Sequence, residues 1–276
     1  MNSTSEGSSW ANHTLPLRGL PNFRDFGGYL TKDGRRVREG VLYRSQAFGG
    51  ATEKDLEYLA SLDIRLVCDL RSELERAQAR DRWPAGGQPA RLYLDIRSDA
   101  RAGHSELIDA IRREPNPAGV HRGMMLIYRG MPAAFAPVLP QLFAHLLDPA
   151  HLPVVIHCHA GKDRTGFICA VILAALGVAD QHILTDYLLT ARRINRMQLS
   201  LELVDTFSAF VGVPLTAEAL QVALDVRPEY LNAAMQTLDR DYGGIDGYIQ
   251  TVGKLGQADR ERLRSALLRA PERQFD

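Results

Sequence analysis

The stretch from Val154 to Leu176 restricts what this chain can fold into more than any other. Val154-Val155-Ile156-His157 is a mostly β-branched run, Phe167 to Leu176 is almost wholly apolar, and only Cys158 to Gly166 lies between them. A run without polar alternation belongs inside a parallel sheet covered on both faces, and the apolar run after it is long enough for a buried helix. The connection therefore sits at a helix N-terminus. Backbone N–H groups there lack intrahelical partners and the macrodipole is positive, so an oxyanion is bound without a metal.

The connection carries its own chemistry. Five residues separate Cys158 from Arg164. That is enough chain to curl around a tetrahedral dianion and return a guanidinium beside the sulfur, where its planar fork can grip two oxygens. The amides from His159 through Ala160, Gly161, Lys162 and Asp163 to Arg164 would line the cradle. Nearby cations and the helix N-terminus favour a thiolate, so the cysteine becomes a nucleophile without a general base. Gly161 lets backbone approach the ligand, Gly166 lets the helix pack behind the loop, and Thr165 brings a hydroxyl near the sulfur.

Two plainer readings compete. A buried structural cysteine would not explain Lys162, Asp163 and Arg164 clustered at a strand end. A metal site built from His157, Cys158 and His159 fails because neighbouring strand residues point to opposite faces, and no second Cys/His cluster exists to complete it.

With these residues in view, the chain resembles the cysteine-dependent tyrosine phosphatase superfamily through His157-Cys158 to Arg164-Thr165-Gly166. Within it, the chain is similar to the bacterial tyrosine, dual-specificity and lipid phosphatases typified by mycobacterial protein tyrosine phosphatase B. Asn22-Phe23-Arg24-Asp25-Phe26-Gly27-Gly28, Leu42-Tyr43-Arg44-Ser45 and Asp69-Leu70-Arg71-Ser72 support the narrower assignment, together with Ala160-Gly161-Lys162-Asp163-Arg164. The resemblance runs from about Asn22 to about Tyr248.

The resemblance implies two-step hydrolysis of a phosphate monoester through a phosphocysteine on Cys158, with Arg164 and the loop amides stabilising the transferring phosphoryl group. No metal and no cofactor are implied. The substrate is a phosphorylated protein, with phosphotyrosine foremost and phosphoserine or phosphothreonine open, or a phosphoinositide. The proton for the leaving oxygen has two candidate donors, Asp163 in the loop and Asp69 at a strand end. Asp163 is favoured; Asp69 reads equally as a carboxylate that orients an arginine. Lys162, as in relatives that accept phosphoinositides, adds a charge suited to a headgroup with more than one phosphate. Arg24, Arg44, Arg71 and Arg129 are candidates to gather around the pocket, with Arg44 and Arg71 foremost because they follow strands. Two other classes stay in view: a sulfurtransferase using the cysteine loop, and a non-catalytic phosphate-binding module.

Balanced charge, 33 basic against 33 acidic residues, gives no broad footprint for nucleic acid or membrane surfaces, so phosphate selectivity is local. The 276 residues, 45% hydrophobic, suffice for a full core. Three cysteines without paired spacing point to a reducing, cytoplasmic setting. Cys169 falls in the apolar helix. Cys68 ends a strand that could run beside the one leading to Cys158; it reads as a buried bystander or as a partner for a protective disulfide. The first residues form no conventional signal peptide, no integral membrane segment is expected, and secretion by a route that reads no N-terminal signal stays open. The oligomeric state is not encoded in any visible pattern.

The expected class is α/β: a tyrosine-phosphatase-like fold whose central, mostly parallel sheet is flanked by helices, with a helical insertion and a helical C-terminal part. Residues 1–15 read as disordered and 16–276 as one catalytic domain. Short strands lie between Phe26 and Tyr43, Thr52 and Asp55 form a capping box, and Ile64–Cys68, Leu92–Ile96 and Val154–His157 are strands. Ala133–Leu147 reads as a helix interrupted by Pro137 and Pro140. From Asp180 onward the chain reads as wholly helical, with a helix from near Pro228 to Gly243-Gly244. Residues 98–130 fit this scheme least. They read either as a mobile helical lid over the pocket or as a static excursion.

Overall fold

The computed structural model describes residues 17–86, 88–96, 105–193, 208 and 211–270. The expected disorder of residues 1–15 and the first residues of the 98–130 segment lie outside this set. Seven strands run in chain order: β1 (Arg24–Asp25), β2 (Arg36–Val37), β3 (Leu42–Ser45), β4 (Leu66–Asp69), β5 (Ala90–Tyr93), β6 (Val154–His157) and β7 (Leu268–Arg269). The helices are α1 (Glu53–Ser61), α2 (Glu73–Gln78), α3 (Ser105–Arg113), α4 (Pro117–Phe135), α5 (Leu139–Leu146) and α6 (Asp163–Ala175), then α7 (Asp180–Arg193), α8 (Ala217–Leu224), α9 (Pro228–Tyr242), α10 (Gly244–Thr251) and α11 (Gln257–Leu267).

β6 is the middle strand of a five-stranded sheet, ordered β1-β3-β6-β4-β5. It pairs in parallel with β3 and β4, while β1 closes one edge antiparallel to β3. Strand alternation sends neighbouring residues into two different cores. Leu42, Leu66, Cys68, Val154 and Ile156 enter the large core with α4, α5, α6 and α9. Tyr43, Val67 and Val155 enter the smaller one, with Leu59 of α1 and Phe23 and Phe48. That is why the strands need no polar face, and each such Val, Leu or Ile contributes roughly 1.5–3 kcal/mol by leaving water.

α6 lies beneath the sheet with every residue from Arg164 to Ala175 buried. Only its N-terminus can meet a ligand. The Thr52–Asp55 capping box forms at α1, and Ser72 with Glu75 builds a second one at α2. Among the described residues, the chain from Asp180 is helical apart from its connections and β7, which pairs with β2. α9 ends where Gly243 turns left-handed at φ 70°.

The middle of the chain departs from expectation. The interrupted helix over Ala133–Leu147 is the end of α4, then a break, then α5. Pro117 occupies the first turn of α4, and Asn116 caps it through Ala118 and Gly119 N–H. α4 belongs to the core: Val120, Tyr128, Met131 and Phe135 are fully buried. Its inner face therefore cannot lift as a lid without opening the main core. Among the described residues, no helix is long and apolar enough to cross a membrane.

Candidate active site

The loop from Cys158 to Lys162 joins the C-terminal end of β6 to α6, at the carboxyl edge of the sheet. Three successive loop carbonyls are tethered from outside. His159 O accepts from Ala47 N–H at 2.9 Å, Ala160 O from Asn22 Nδ2 at 3.0 Å, and Gly161 O from Asn22 Nδ2 at 3.0 Å and Arg44 Nη2 at 3.1 Å. In a trans peptide the N–H points opposite to the carbonyl. The amides of Ala160, Gly161 and Lys162 therefore turn away from these partners, toward the space the loop encircles.

The helix behind the loop completes the cradle. α1 and α2 spend a Thr or Ser side chain on their first amides, whereas Lys162, at the same position of α6, makes no side-chain cap. Those amides remain donors suited to an oxyanion. Cys158 is 3% exposed, and the buried Thr165 hydroxyl has no hydrogen-bond partner among the described residues.

Arg164 is held flat by Glu75 of α2, Nη1 to Oε2 at 2.8 Å and Nη2 to Oε1 at 2.7 Å. The same carboxylate accepts from the Ser72 N–H, so the cap of α2 also orients the loop arginine. A guanidinium held along one edge has a second edge, Nε with Nη2, suited to two oxygens of a dianion.

Beneath the loop lies a buried charge network. Asp186 of α7 pairs with Arg44 of β3 and with Arg24 of β1, and Arg24 also donates to Asn22 Oδ1 at 2.6 Å and Thr190 Oγ1 at 3.0 Å. Burial pushes the Asp186 carboxyl up, but the two guanidiniums outweigh it and hold it below the usual carboxylate range. Burial and the neighbouring Arg44 bring Arg24 down to about 10. Two cations face one anion here, which leaves positive charge behind the loop.

Asp69 and Arg71 form a separate cluster. Asp69 accepts from Arg71 Nε at 3.0 Å and Nη2 at 2.7 Å, and Arg71 Nη2 also reaches Asp81 at 2.6 Å. Burial raises the Asp69 carboxyl, yet its bonds to Arg71 and the nearby His157 bring it below its ordinary value. His157 Nε2 stands 3.7 Å from Asp69 and 3.6 Å from Asp81, with burial pushing the imidazole down despite both carboxylates. Asp69, Asp81 and His157 are close enough to hold an ion, but the Arg71 guanidinium already supplies the cation between the two carboxylates.

Asp163, the first residue of α6, accepts from Tyr128 Oη at 2.7 Å and has Lys162 Nζ at 3.5 Å. Lys162 is 5% exposed and donates to the carbonyls of Ala223 and, at 3.2 Å, Asp225.

The sequence-derived candidates thus divide. Cys158, the loop amides, Asp163, Arg164 and Thr165 share one loop and the first turn of α6. Arg24 and Arg44 serve the loop from behind, Arg71 serves Asp69, and Arg129 lies exposed along a surface groove with Arg113 and Arg122. Cys68 sits opposite Ile156, two residues short of Cys158, and all three cysteines are thiols. Glu75, Asp186, Tyr128 and Tyr187 were not singled out. Ser72-x-x-Glu75 has the pattern of a cap, which says nothing of the arginine that Glu75 holds, and Asn22 carried only a motif resemblance.

A family profile described as the tyrosine phosphatase family matches residues 15–269. A triple specificity protein phosphatase, PtpB of Mycobacterium tuberculosis, is 32% identical over 92% of this chain and 100% of its own length. A Cupriavidus necator protein assigned by name to the tyrosine-protein phosphatases is 31% identical over 86% of this chain and 83% of its own. A tyrosine-protein phosphatase of Nostoc commune is 23% identical over 76% and 68% respectively.

Proposed function

Since this chain belongs to the tyrosine phosphatase family and hydrolyses phosphotyrosine, we propose that Cys158 is its nucleophile, Arg164 and the loop amides its phosphate grip, and Asp163 its acid. The single observation that carries this reading is the outward tethering of the His159, Ala160 and Gly161 carbonyls. It turns consecutive amides toward one anion-sized space beside the uncapped start of α6.

In the first step Cys158 Sγ bonds to phosphorus while the bond to the leaving oxygen breaks, and Asp163 gives that oxygen its proton. In the second, water attacks phosphorus and yields a proton to Asp163, and the S–P bond breaks to restore the thiolate. Charge on the phosphoryl oxygens is met by fixed donors that need no rearrangement. The Thr165 hydroxyl is placed to stabilise the departing sulfur. Asp69 fits the orienting role better than the acid role, because its oxygens are engaged by Arg71.

Phosphotyrosine is the substrate class favoured over phosphoinositides. A headgroup with a second phosphate needs a spare cation, and Lys162 already donates to the Ala223 and Asp225 carbonyls and pairs with Asp163 at 3.5 Å. We read residues 16–276 as one catalytic domain, supported by a main core with members from Phe26 to Leu268. A cytoplasmic setting is favoured by three thiols without a disulfide framework.

The test is phosphate release, with a chelator present, from a phosphotyrosine peptide and a set of phosphoinositides. Wild-type release from the peptide, abolished in Cys158→Ser with inorganic phosphate binding retained, is the expected result. Equal turnover by Cys158→Ser would remove the proposed nucleophile, and faster release from phosphoinositides would reverse the substrate ranking.

A further inference from the structure

Resting on the reading of Asp163 as the acid, we propose that Tyr128, backed by Tyr187, is a positioning residue that fixes one oxygen of the Asp163 carboxyl and so aims the other at the leaving group. Tyr128 Oη lies 2.7 Å from Asp163 Oδ1 and 2.7 Å from Tyr187 Oη. Tyr128 is 0% and Tyr187 1% exposed, and they come from α4 and α7, two helices that meet the start of α6 from different directions. Nothing in a plain hydrophobic core requires two phenol oxygens to converge on a loop carboxylate.

The direction of this chain follows from counting hydrogens. A phenol has one to give, and a carboxyl oxygen that carries no proton, as Oδ1 of an acid protonated on Oδ2, only accepts. Tyr128 must therefore donate to Asp163, and Tyr187 must donate to Tyr128. Burial, with the Asp163 charge adding to it, keeps both phenols protonated far above their ordinary range, so the donors persist through the working pH. The Tyr128 ring is also fixed in place, stacked on Tyr230 at 5.6 Å and edge-on to Tyr187 at 6.2 Å.

Oδ1 is thus occupied, by Tyr128 and by Lys162 Nζ at 3.5 Å. The Asp163 side chain is 28% exposed, whereas Tyr128 and Tyr187 are buried, so of these three groups Asp163 is the one that opens outward. Oδ2 is then the oxygen that carries the transferable proton. As that proton passes to the leaving oxygen and the P–O bond breaks, negative charge develops on a carboxylate already held by a donor, and the hydrogen bond strengthens with the charge. Water's proton returns to the same oxygen in the second step.

The experiment compares Tyr128→Phe, Tyr187→Phe and Asp163→Asn on a phosphotyrosine peptide and on an activated aryl phosphate whose leaving group needs no proton. Tyr128→Phe, which keeps the ring, is expected to lose about tenfold in kcat on the peptide and less than about twofold on the activated ester. Tyr187→Phe should lose about two- to threefold in the same pattern, and it carries the test by itself if Tyr128→Phe does not fold. Combined with Asp163→Asn, Tyr128→Phe should add nothing. Equal slowing of both substrates, or a further tenfold loss in the Asp163→Asn background, would overturn the inference. A leaving-group dependence in Asp163→Asn with none in either phenylalanine variant would sink the positioning role alone. No dependence in Asp163→Asn would sink the acid assignment beneath it.

Discussion

A methyl group at Gly161 would lie 2.3 Å from the Ser45 carbonyl oxygen and 2.7 Å from Asn22 Nδ2, on a backbone held at φ +66°. Alanine there is strained by its conformation, at about 1 kcal/mol, and must also displace backbone and the Asn22 amide that tethers the loop. Gly161→Ala is therefore expected to cut kcat/KM by more than about 100-fold and weaken phosphate binding, as calorimetry with inorganic phosphate would show; wild-type affinity would contradict the tether. At Glu75, replacement by Gln keeps the size but removes the charge that holds Arg164 flat. A loss of about 10- to 100-fold in kcat/KM should follow, with a small drop in thermal midpoint from the weakened cap of α2. The residues proposed for the chemistry were legible because Cys158, Gly161, Asp163 and Arg164 lie within one short segment. Glu75 was not, since it meets Arg164 across 89 residues and local pattern reports only its cap.

Elements show the same division. β6, α6 and the capped start of α1 could be read because each is written in consecutive residues: an apolar run, or a Thr with its acid three positions on. Residues 98–130 were read as a lid or a surface excursion, because their mixed charges hid the apolar face that α4 buries. Pro117 opens that helix, and Pro132 is accommodated inside it, its carbonyl accepting from Tyr248 Oη at 2.7 Å. The junction of β1, β3 and α7 was read only in part: Arg24 and Arg44 stood out as pocket candidates, whereas Asp186, which pairs with both, looks like an ordinary polar residue until the fold buries it. It is also where an element-level change would cost most. Asp186→Asn leaves two buried guanidiniums without their counterion, and removing one partner of such a pair destabilises by roughly 3–5 kcal/mol. Urea unfolding should show this, and a change under about 1 kcal/mol would mean the pair is better hydrated than its burial implies.

For the molecule as a whole, the buried phenols set an upper pH limit. Tyr29, Tyr128, Tyr187, Tyr230 and Tyr248 are all raised by burial well above the ordinary range. In the unfolded chain they ionise near pH 10, so their contribution is intact below that value and is lost as pH rises through it. Each adds a slope approaching about 1.4 kcal/mol per pH unit. Arg24, lowered to about 10, acts in the opposite sense, because above that pH the unfolded chain holds its proton longer. The five phenols outweigh Arg24 and the likewise lowered Arg193, and thermal midpoints recorded from pH 8 to 11 should fall steeply beyond 10; a flat profile would refute the balance. The anchors of the loop come from Asn22, Arg44 and Ala47 near one end of the chain and, through Asp186, from α7 far beyond the loop. A ribosome that has released the chain as far as Gly166 has made the nucleophile, the arginine and every cradle residue, yet the support supplied by Asp186 is still unmade. Affinity for phosphate should therefore arrive late in synthesis, after α7 emerges, and until then the growing chain carries a reactive thiol with no pocket around it.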